Sequence, residues 1–349
     1  MTEVRRTIES VPILRIFFEY RLQIIVTLIF LMLWLAFYLI NPPAFANAFT
    51  YVSIMSVTPF TVIPALSLTL IIIAGEIDLS FSSVMALGSL VMALTWQAMG
   101  EASLLGVLLG LLAGLAAGLL NGVLICKLGI PSLIATIGTM FLWRGVVLVV
   151  TQGFSIPLGQ YRDSIIFKIL VGRIGGLPVQ FLWAIGLAIL FWLILNRHKF
   201  GAYIYYIGDN RTAAEMVGIN VHRTLIALFA VHGLIASFAG IIDTLEMATF
   251  WPTLGEIYML KSIAAVVIGG TPITGGVGTV YGTFIGGLTL EFIEMGVLTT
   301  GATGFWIRLV HGLVIIIALA AQGVLRKKEL LRIRMLRLVM SYSSGAKEH

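Results

Sequence analysis

The chain has 349 residues, of which 59% are hydrophobic and only 11% are charged, and its mean hydropathy is +1.04. Soluble domains usually carry about a quarter charged residues, so this composition excludes a soluble enzyme, a nucleic-acid-binding protein and a secreted disulfide-rich module. Cys126 is the only cysteine, which excludes an intrachain disulfide. The formal net charge is +6, and in a membrane protein such charge indicates topology before it indicates a partner.

The sequence predicts an all-α polytopic membrane protein, because apolar runs recur at the length of about 20 residues that a spanning helix needs. About ten spans, some short or broken, are predicted: Leu22–Ile40, Tyr51–Ala74, Phe81–Trp96, Ser103–Ile125, Ser132–Val150, Val179–Leu195, Leu225–Thr249, Ser262–Gly270, Tyr281–Val297 and Phe305–Ala321. The eighth is short and ends in glycine, which indicates a broken helix. The first is longer than a signal-peptide core and lacks a small-residue cleavage pattern, so we expect it to be retained.

The basic residues predict which side of the membrane each segment faces. With the amino terminus inside, 16 of the 22 Lys and Arg residues fall in inner segments. Outer segments hold only Arg162, Lys168, Arg173 and Lys261. The positive-inside rule therefore places both termini in the cytoplasm. Four tryptophans near predicted outer ends fit an aromatic belt: Trp96, Trp183, Trp251 and Trp306.

These spans divide the chain into three parts. Residues 1–21 form a cytoplasmic or interfacial segment, in which residues 7–20 suit a short interfacial helix. Residues 22–325 form a single transmembrane domain. Residues 326–349 form a basic cytoplasmic tail, which is interpreted as an anchor to anionic lipid.

The second span ends in a segment that is not simply hydrophobic, Gly75-Glu76-Ile77-Asp78-Leu79-Ser80. Gly75 is expected to end the helix, and Asp78 or Ser80 to cap the next one. Two carboxylates at membrane depth need water or partners. A capped turn at the inner interface is the favoured interpretation, and a re-entrant turn that lines a transport route is the alternative.

A second break covers residues 269–278, where no regular helix survives the density of glycine and proline. Its glycines include Gly269, Gly270, Gly275 and Gly276. Six spans separate the two breaks, so both are predicted on the same side of the membrane. Paired broken helices are typical of a transporter site.

Three further features concern the fourth and fifth spans. Gly106, Gly110, Gly114 and Gly118 share one helix face, which predicts close packing against another helix. Asn121 follows on the same helix and needs a partner in lipid, either across helices or along a wet path. Arg144 lies midway along the fifth span, where a functional role and a structural ion pair are weighed evenly.

Other ionisable residues carry less weight. Glu291 and Glu294 are expected near an outer helix end, where a carboxylate reaches water easily. Asp243, Glu246 and Arg308 lie in or near spans. The sequence has no nucleotide-binding loop, no metal-ligand spacing and no nucleophile in a triad-like context, so the chain itself is predicted to be neither an ATPase nor a hydrolase.

The largest inner loop, about residues 196–224, contains a short predicted helix from Arg211 to Gly218. Asp209 or Asn210 can cap this helix, and Gly218 can end it. The small side chains of Ala213 and Ala214 would leave room for a docking partner.

With these segments in order, the chain resembles the membrane permease subunits of bacterial ABC importers for ribose, xylose, arabinose, galactose and the sugar-like autoinducer. The similarity runs from about Phe49 to Ala321. It is carried by Gly75–Ser80, Asn121-Gly122, Gly208–Val221 and the double-glycine run at 269–278. Pro131, Thr136, Gly138 and Arg144-Gly145 also fall where the family has them.

The resemblance implies that Gly208–Val221 is a coupling loop that sits in a cleft of a separate ATPase subunit. Its positions are Gly208, Asn210, Ala213, Ala214, Gly218 and Ile219. It further implies a second permease copy, identical or homologous, two ATPase copies that bind ATP and Mg, and a periplasmic substrate-binding protein. The chain itself would bind no cofactor and no metal, would contact lipid and no nucleic acid, and would lie in the bacterial inner membrane.

The chain departs from the family pattern at positions close to the expected pathway. The family usually has glycine where this chain has Glu76, Val-Gly where it has Phe81-Ser82, and Glu-Leu-Asp where it has Met259-Leu260-Lys261. These differences leave open which sugar, polyol or other small solute is carried. The residues expected along the pathway are Asp78, Ser80, Asn121, Thr136 and Arg144.

The sequence therefore predicts the transmembrane subunit of an ATP-driven sugar importer. The alternative is a stand-alone secondary transporter in which Glu76, Asp78 or Asp243 carries protons. A membrane enzyme or assembly scaffold is a third class, and the absence of a catalytic constellation argues against an enzyme.

Overall fold

A computed structural model of the chain describes residues 20–301 and 305–318, together with residues 320 and 323. The interfacial helix predicted at residues 7–20 lies outside the described residues except for Tyr20. The basic tail predicted from residue 326 lies outside them entirely.

The described part of the chain is mostly helical. Its helices are α1 (Arg21–Ile40), α2 (Pro42–Phe45), α3 (Ala48–Ile73), α4 (Phe81–Met99), α5 (Leu104–Leu128), α6 (Ser132–Thr151), α7 (Ile165–Val171), α8 (Val179–Arg197), α9 (Lys199–Asp209), α10 (Arg211–Met216), α11 (Val221–Glu246), α12 (Glu256–Ile268), α13 (Val280–Thr299) and α14 (Phe305–Ala318). The described part also contains a 3-10 turn at Gly159–Tyr161 and four two-residue strands: β1 (Ile156–Pro157), β2 (Arg173–Ile174), β3 (Leu177–Pro178) and β4 (Thr249–Phe250).

Seven of the described helices are long and apolar enough to cross a membrane, namely α1, α3, α4, α5, α6, α8 and α11. The fold class predicted from the sequence, a polytopic helical membrane protein, is confirmed. The other three predicted spans correspond to α12, α13 and α14. Helix α12 has only 13 residues, about 20 Å of helix, which is shorter than a hydrocarbon core of about 30 Å.

The bundle has two ends that differ in structure. At the first end, α3 finishes and α6 begins, and the backbone N–H of Ile77 donates to the hydroxyl of Ser132 (3.2 Å). We call it the α10 end, because Arg211 of α10 pairs with Glu76 there. At the second, the strand end, the hydroxyl of Tyr161 donates to the carbonyl of Trp96 (3.1 Å). The long helices run between these two ends.

Helix α3 is the central helix of the bundle. It is buried along almost its whole length and packs against α8, α11, α12 and α13. It contains Pro59 and Pro64, which remove backbone N–H donors. The hydroxyl of Ser262 in α12 donates to the carbonyl of Thr61 (2.9 Å), three residues before Pro64, so a neighbouring helix hydrogen-bonds the backbone where the proline interrupts α3.

The glycine face of α5 packs directly against α11 and α4. A Cβ atom added to Gly114 would lie 2.4 Å from Cβ of Ser237 and 2.5 Å from the carbonyl oxygen of Gly233. One added to Gly118 would lie 2.2 Å from the carbonyl oxygen of Phe229. The packing role predicted for this face is confirmed, because only glycine permits this approach.

Short strands close the strand end. Strand β1 pairs with β4 in antiparallel register, although more than 90 residues separate them in the sequence. Trp96 lies here, as expected, but it is fully buried rather than part of an aromatic belt. Its indole N–H donates to the carbonyl of Ser103 (2.9 Å), and its ring meets Tyr161 edge-on. The expected exposure of Trp96 at the membrane interface is wrong, because an indole N–H with an internal acceptor does not need an interfacial one.

Candidate coupling and permeation site

The first break begins where α3 ends. Gly75 adopts the left-handed conformation (φ +83°), and the N–H of Glu76 donates to the carbonyl of Ile71 (3.1 Å), which closes the last turn. Ser80 precedes α4, but its side chain makes no capping hydrogen bond. Asp78 instead accepts hydrogen bonds from both the N–H and the hydroxyl of Ser80, each at 2.7 Å. The helix end at Gly75 is confirmed, whereas the expected side-chain cap is replaced by a turn that Asp78 holds closed.

Asp78 and Ser80 belong to a buried hydrogen-bond network that also includes α5 and α6. The amide of Asn121 donates to the hydroxyl of Ser80 (2.7 Å) and to the carboxylate of Asp78 (3.3 Å). The hydroxyl of Thr139 donates to the amide oxygen of Asn121 (2.7 Å). All four side chains are buried. The structure thus brings three predicted pathway residues together and adds Thr139, and the buried Asn121 has the interhelical partners that a polar group in lipid requires.

Thr136 lies beside this network, and its backbone carbonyl is 3.3 Å from the hydroxyl of Thr139, within hydrogen-bond distance. Its hydroxyl donates to the carbonyl of Ser132, one turn earlier (2.8 Å), and lies 3.5 Å from the carbonyl of Ile77. The side chain of Thr136 therefore supports the extended part of the first break.

The second break is built from glycines that approach other backbone closely. Gly270, Gly275 and Gly276 have positive φ values of 89°, 77° and 82°. A Cβ atom added to Gly269 would lie 2.4 Å from the carbonyl carbon of Gly282 in α13. Because a side chain would clash at Gly269 and would be strained at the other three, this segment requires glycine.

The two breaks and α9 meet at the α10 end. The N–H of Gly276 donates to the carbonyl of Ile73 (2.9 Å), the last residue of α3 before the first break. A Cβ atom added to Gly275 would lie 2.9 Å from Cα of Gly75, so the two breaks also contact each other directly. The hydroxyl of Tyr205 in α9 donates to the carbonyl of Gly278 (2.8 Å). A Cβ atom on Gly208 would lie 1.8 Å from the oxygen of Ile73. The prediction that both breaks lie on one side is confirmed, and α9 rests on both of them.

Helix α10 is the short helix predicted in the inner loop. The side chain of Asn210 accepts a hydrogen bond from the N–H of Ala213 (3.0 Å), so Asn210 caps it. Gly218 follows its end with φ +85°. Ala213 is exposed, but Ala214 and Ile219 are buried against the chain itself. The idea that both alanines leave room for a partner is therefore wrong for Ala214, whose methyl group packs inward.

The outward surface of α10 is more hydrophobic than the sequence analysis recognised. Met216 is 82% exposed, and Val217, which follows it, is 72% exposed. On the other side of the helix, Nη1 of Arg211 lies 3.3 Å from Oε1 of Glu76. Helix α10 is thus tied to the first break by an ion pair and presents two large apolar side chains to the solvent. Those side chains could have been found from the sequence, because apolar residues in a polar loop are an unusual feature.

Arg144 is placed away from the Asn121 network. Its guanidinium donates to the carbonyls of Pro252, Leu254 (3.0 Å) and Ser82 (3.2 Å). Its Nε lies 3.5 Å from a carboxylate oxygen of Glu256. Arg144 therefore satisfies backbone carbonyls of the irregular segment that precedes α12, as non-helical backbone at membrane depth requires. Of the two roles expected for Arg144, functional or structural, these contacts are of the structural kind.

A buried ionic cluster was missed. Lys261 in α12 lies 3.6 Å from Glu291 and forms a closer ion pair with Glu294, both in α13. Glu291 also accepts a hydrogen bond from Thr61 in α3 (2.7 Å), and Nε2 of His311 in α14 lies 3.6 Å from Glu294. Lys261 and Glu291 are buried. The expectation that the glutamates reach water is wrong for Glu291, which is buried, whereas the Glu294 side chain is 21% exposed. Lys261 lies within α12 and not in a loop, and its partners are on another helix.

The fold and this arrangement define a class of protein. A bundle of membrane-length helices has two glycine-rich breaks joined at one end, and a short amphipathic segment rests on both breaks. Broken helices of this kind are characteristic of transport proteins. The chain is a multi-pass permease of the inner membrane.

The chain belongs to the family described as the permease component of the branched-chain amino acid transport system, which matches residues 50–319. It is 34% identical to a ribose import permease of Escherichia coli K12 over 278 residues, or 79% of this chain and 86% of the relative. It is 36% identical to a probable ABC transporter permease of the same organism over 299 residues, 85% and 88% of the two chains. A fructose import permease of Rhizobium meliloti is 32% identical over 305 residues, 84% and 83%. No solved structure matches the chain. These relatives confirm the resemblance drawn from the sequence.

Proposed function

We propose that the chain is the transmembrane subunit of an ATP-driven importer that carries a small neutral sugar. A periplasmic binding protein delivers the sugar, and a separate ATPase subunit binds ATP and Mg. Relatives that are named as ribose and fructose import permeases support the sugar class. A second permease copy, identical or homologous, completes the pathway.

In this proposal the chain crosses the membrane ten times and both termini are cytoplasmic. Helices α12, α13 and α14 add the three crossings beyond the seven long apolar helices. The α10 end carries Lys127, Arg197, Lys199, Arg211 and Arg223, whereas the strand end carries Arg162, Lys168 and Arg173. This excess of basic residues supports the α10 end as the cytoplasmic face.

One observation supports the importer most strongly: α9 and α10 contact both helix breaks and expose an apolar tip. Tyr205 and Gly208 contact residues of the two breaks, Arg211 pairs with Glu76, and Met216 and Val217 face outward. An ATPase that binds this tip would move a segment that bears directly on the breaks. ATP binding would then drive the change of state through its differential affinity for the two states.

The proton-coupled alternative receives no comparable support. Asp78 accepts three hydrogen bonds from Ser80 and Asn121, and Glu76 pairs with Arg211. Asp243 is buried, and neither oxygen of its carboxylate has a hydrogen-bond partner among the described residues. Glu76 and Asp78 therefore have structural partners, and Asp243 is the carboxylate on which the alternative would depend.

The exposed tip of α10 provides a direct test. Replacing Met216 and Val217 together by Asp is expected to abolish co-purification of the ATPase, because apolar anchors dominate small interfaces. The matched control is Phe154→Asp, since Phe154 is 73% exposed and lies near the strand end. Retained ATPase binding in the double variant would contradict the proposal.

Transport itself is measured with the permease, its ATPase and its binding protein reconstituted in proteoliposomes. Uptake of radiolabelled D-ribose, D-fructose and other monosaccharides is expected to require ATP and the binding protein. Uptake that needs neither, and that follows an imposed proton gradient, would establish the alternative.

A further inference from the structure

A second polar feature lies between the two ends of the bundle. A cavity of 280 Å³ is lined by Ser83, Phe141, Arg144 and Glu256 with two methionines, Met140 and Met259. Arg144 lies twelve residues into α6, about 18 Å from the α10 end. In a hydrocarbon core of about 30 Å, this is close to the middle of the membrane.

Ser83 is the feature of this cavity that the fold does not explain. Its side chain is fully buried, and its hydroxyl has no hydrogen-bond partner in the part of the chain that the structure describes. Leaving a buried hydroxyl unpaired costs about 1–3 kcal/mol. Such a group in a cavity wall indicates a polar partner that occupies the cavity.

The charges around the cavity limit which ligand suits it. The guanidinium of Arg144 is held by three backbone carbonyls and lies beside Glu256. The Glu256 side chain is 58% exposed, so it retains acceptor capacity for a ligand. The Arg144–Glu256 pair carries no net charge, which suits a neutral ligand, and the carboxylate of Glu256 accepts hydroxyl groups.

The remaining walls suit the apolar face of a sugar ring. Phe141 is 69% exposed, and the two methionines give a soft apolar lining. The cavity is slightly smaller than the range of about 300–1,000 Å³ for pockets that hold drug-sized ligands, which suits a single monosaccharide.

We propose that this cavity is a transient binding site for a neutral monosaccharide on its way across the membrane. Ser83 and Glu256 bind sugar hydroxyls, and Phe141 contacts the ring. The inference rests on the proposed function and adds to it a position and three residues. Affinity at the site is low, because a permeating solute must also leave.

Uptake kinetics of the complete reconstituted transporter test the polar contacts. With D-ribose as the first probe, Ser83→Ala and Glu256→Gln are each expected to raise KM about tenfold, the equivalent of about 1.4 kcal/mol of lost binding. The matched controls are Ser89→Ala, whose hydroxyl bonds within α4, and Glu101→Gln at an exposed loop. An unchanged KM in both cavity variants overturns the inference while the importer stands.

A labelling experiment tests occupancy without relying on transport. In a Cys126→Ala background, Phe141→Cys is expected to react with a thiol reagent more slowly when D-ribose saturates the complex. Ile134→Cys, exposed on the same helix two turns away, is expected to react at an unchanged rate. Equal rates at residue 141 with and without sugar overturn the inference, and failure of the wild-type complex to import any monosaccharide overturns it together with the proposed function.

Discussion

Lys261 is a single cation that lies between two carboxylates inside the bundle. It pairs with Glu291 and Glu294, and these ion pairs link α12 to α13. Removing one member of a buried ion pair leaves an uncompensated charge, which costs more than the pair contributes. The cluster therefore fixes how the short helix α12 sits against its neighbours.

Lys261→Ala is expected to destabilise the protein by about 3–5 kcal/mol, because Glu291 would remain buried without its cation. Thermal unfolding in detergent measures the change. Lys168→Ala, which removes an exposed lysine, is the control and should shift the midpoint little. Equal midpoints for the two variants would show that the cluster does not hold the helices together.

At the scale of elements, the contact between α10 and the first break decides whether a push on α10 can reach the membrane. Arg211 and Glu76 form this contact at 3.3 Å, and Glu76 stands where the family pattern has glycine. The Arg211 side chain is 44% exposed, so the pair contributes at most about 1 kcal/mol to stability. Its effect should therefore appear in coupling and not in unfolding.

Arg211→Glu is expected to lower the number of sugars imported per ATP hydrolysed, because like charges would separate α10 from the break. Combining it with Glu76→Arg restores the attraction and should recover most of the ratio. Uptake and ATP hydrolysis are measured in the same proteoliposomes. Arg223→Glu, which alters another exposed arginine at this end, is the control, and an equal loss there would remove the specific role of the pair.

The contact between α5 and α11 is expected to tolerate no side chain. Gly114→Leu should destabilise the bundle by more than the usual 1–3 kcal/mol of an overpacked core, since the clash involves the Gly233 carbonyl. Gly186→Leu on α8, where nothing lies within 4 Å, provides the control. Folded yield by size-exclusion chromatography compares them, and equal yields would contradict the packing argument.

Local chemistry explains which of these elements the sequence predicts. Asn210 as a cap and Gly75 as a helix end depend on their immediate neighbours, and both were predicted correctly. The partners of Lys261 lie 30 residues or more away on other helices, and β1 and β4 are even more distant. Sequence patterns carry no signal for such pairings, because each residue obeys the same local rules with or without its partner.

At the scale of the whole molecule, helix hydrophobicity predicted the bundle of helices but not how far each helix extends across the membrane. Helix α12 is too short to cross alone, and Arg144 holds the segment before it through two carbonyls, those of Pro252 and Leu254, and links that segment to α4 through the carbonyl of Ser82. Composition identifies the length of an apolar segment, but it does not show that the side chain of Arg144 makes the hydrogen bonds that helical backbone would otherwise make. The pathway residues divide in the same way, since Asp78, Ser80 and Asn121 meet in space while Arg144 serves another segment.

The hydrogen bond between Gly276 and Ile73 joins the second break to the end of α3 through main-chain atoms alone. Every residue other than proline can offer the same donor, and every residue the same acceptor. Selection can therefore alter the side chains that meet a solute without changing the chemistry of this junction. Related permeases can therefore differ in the solute they carry and still share this main-chain hydrogen bond.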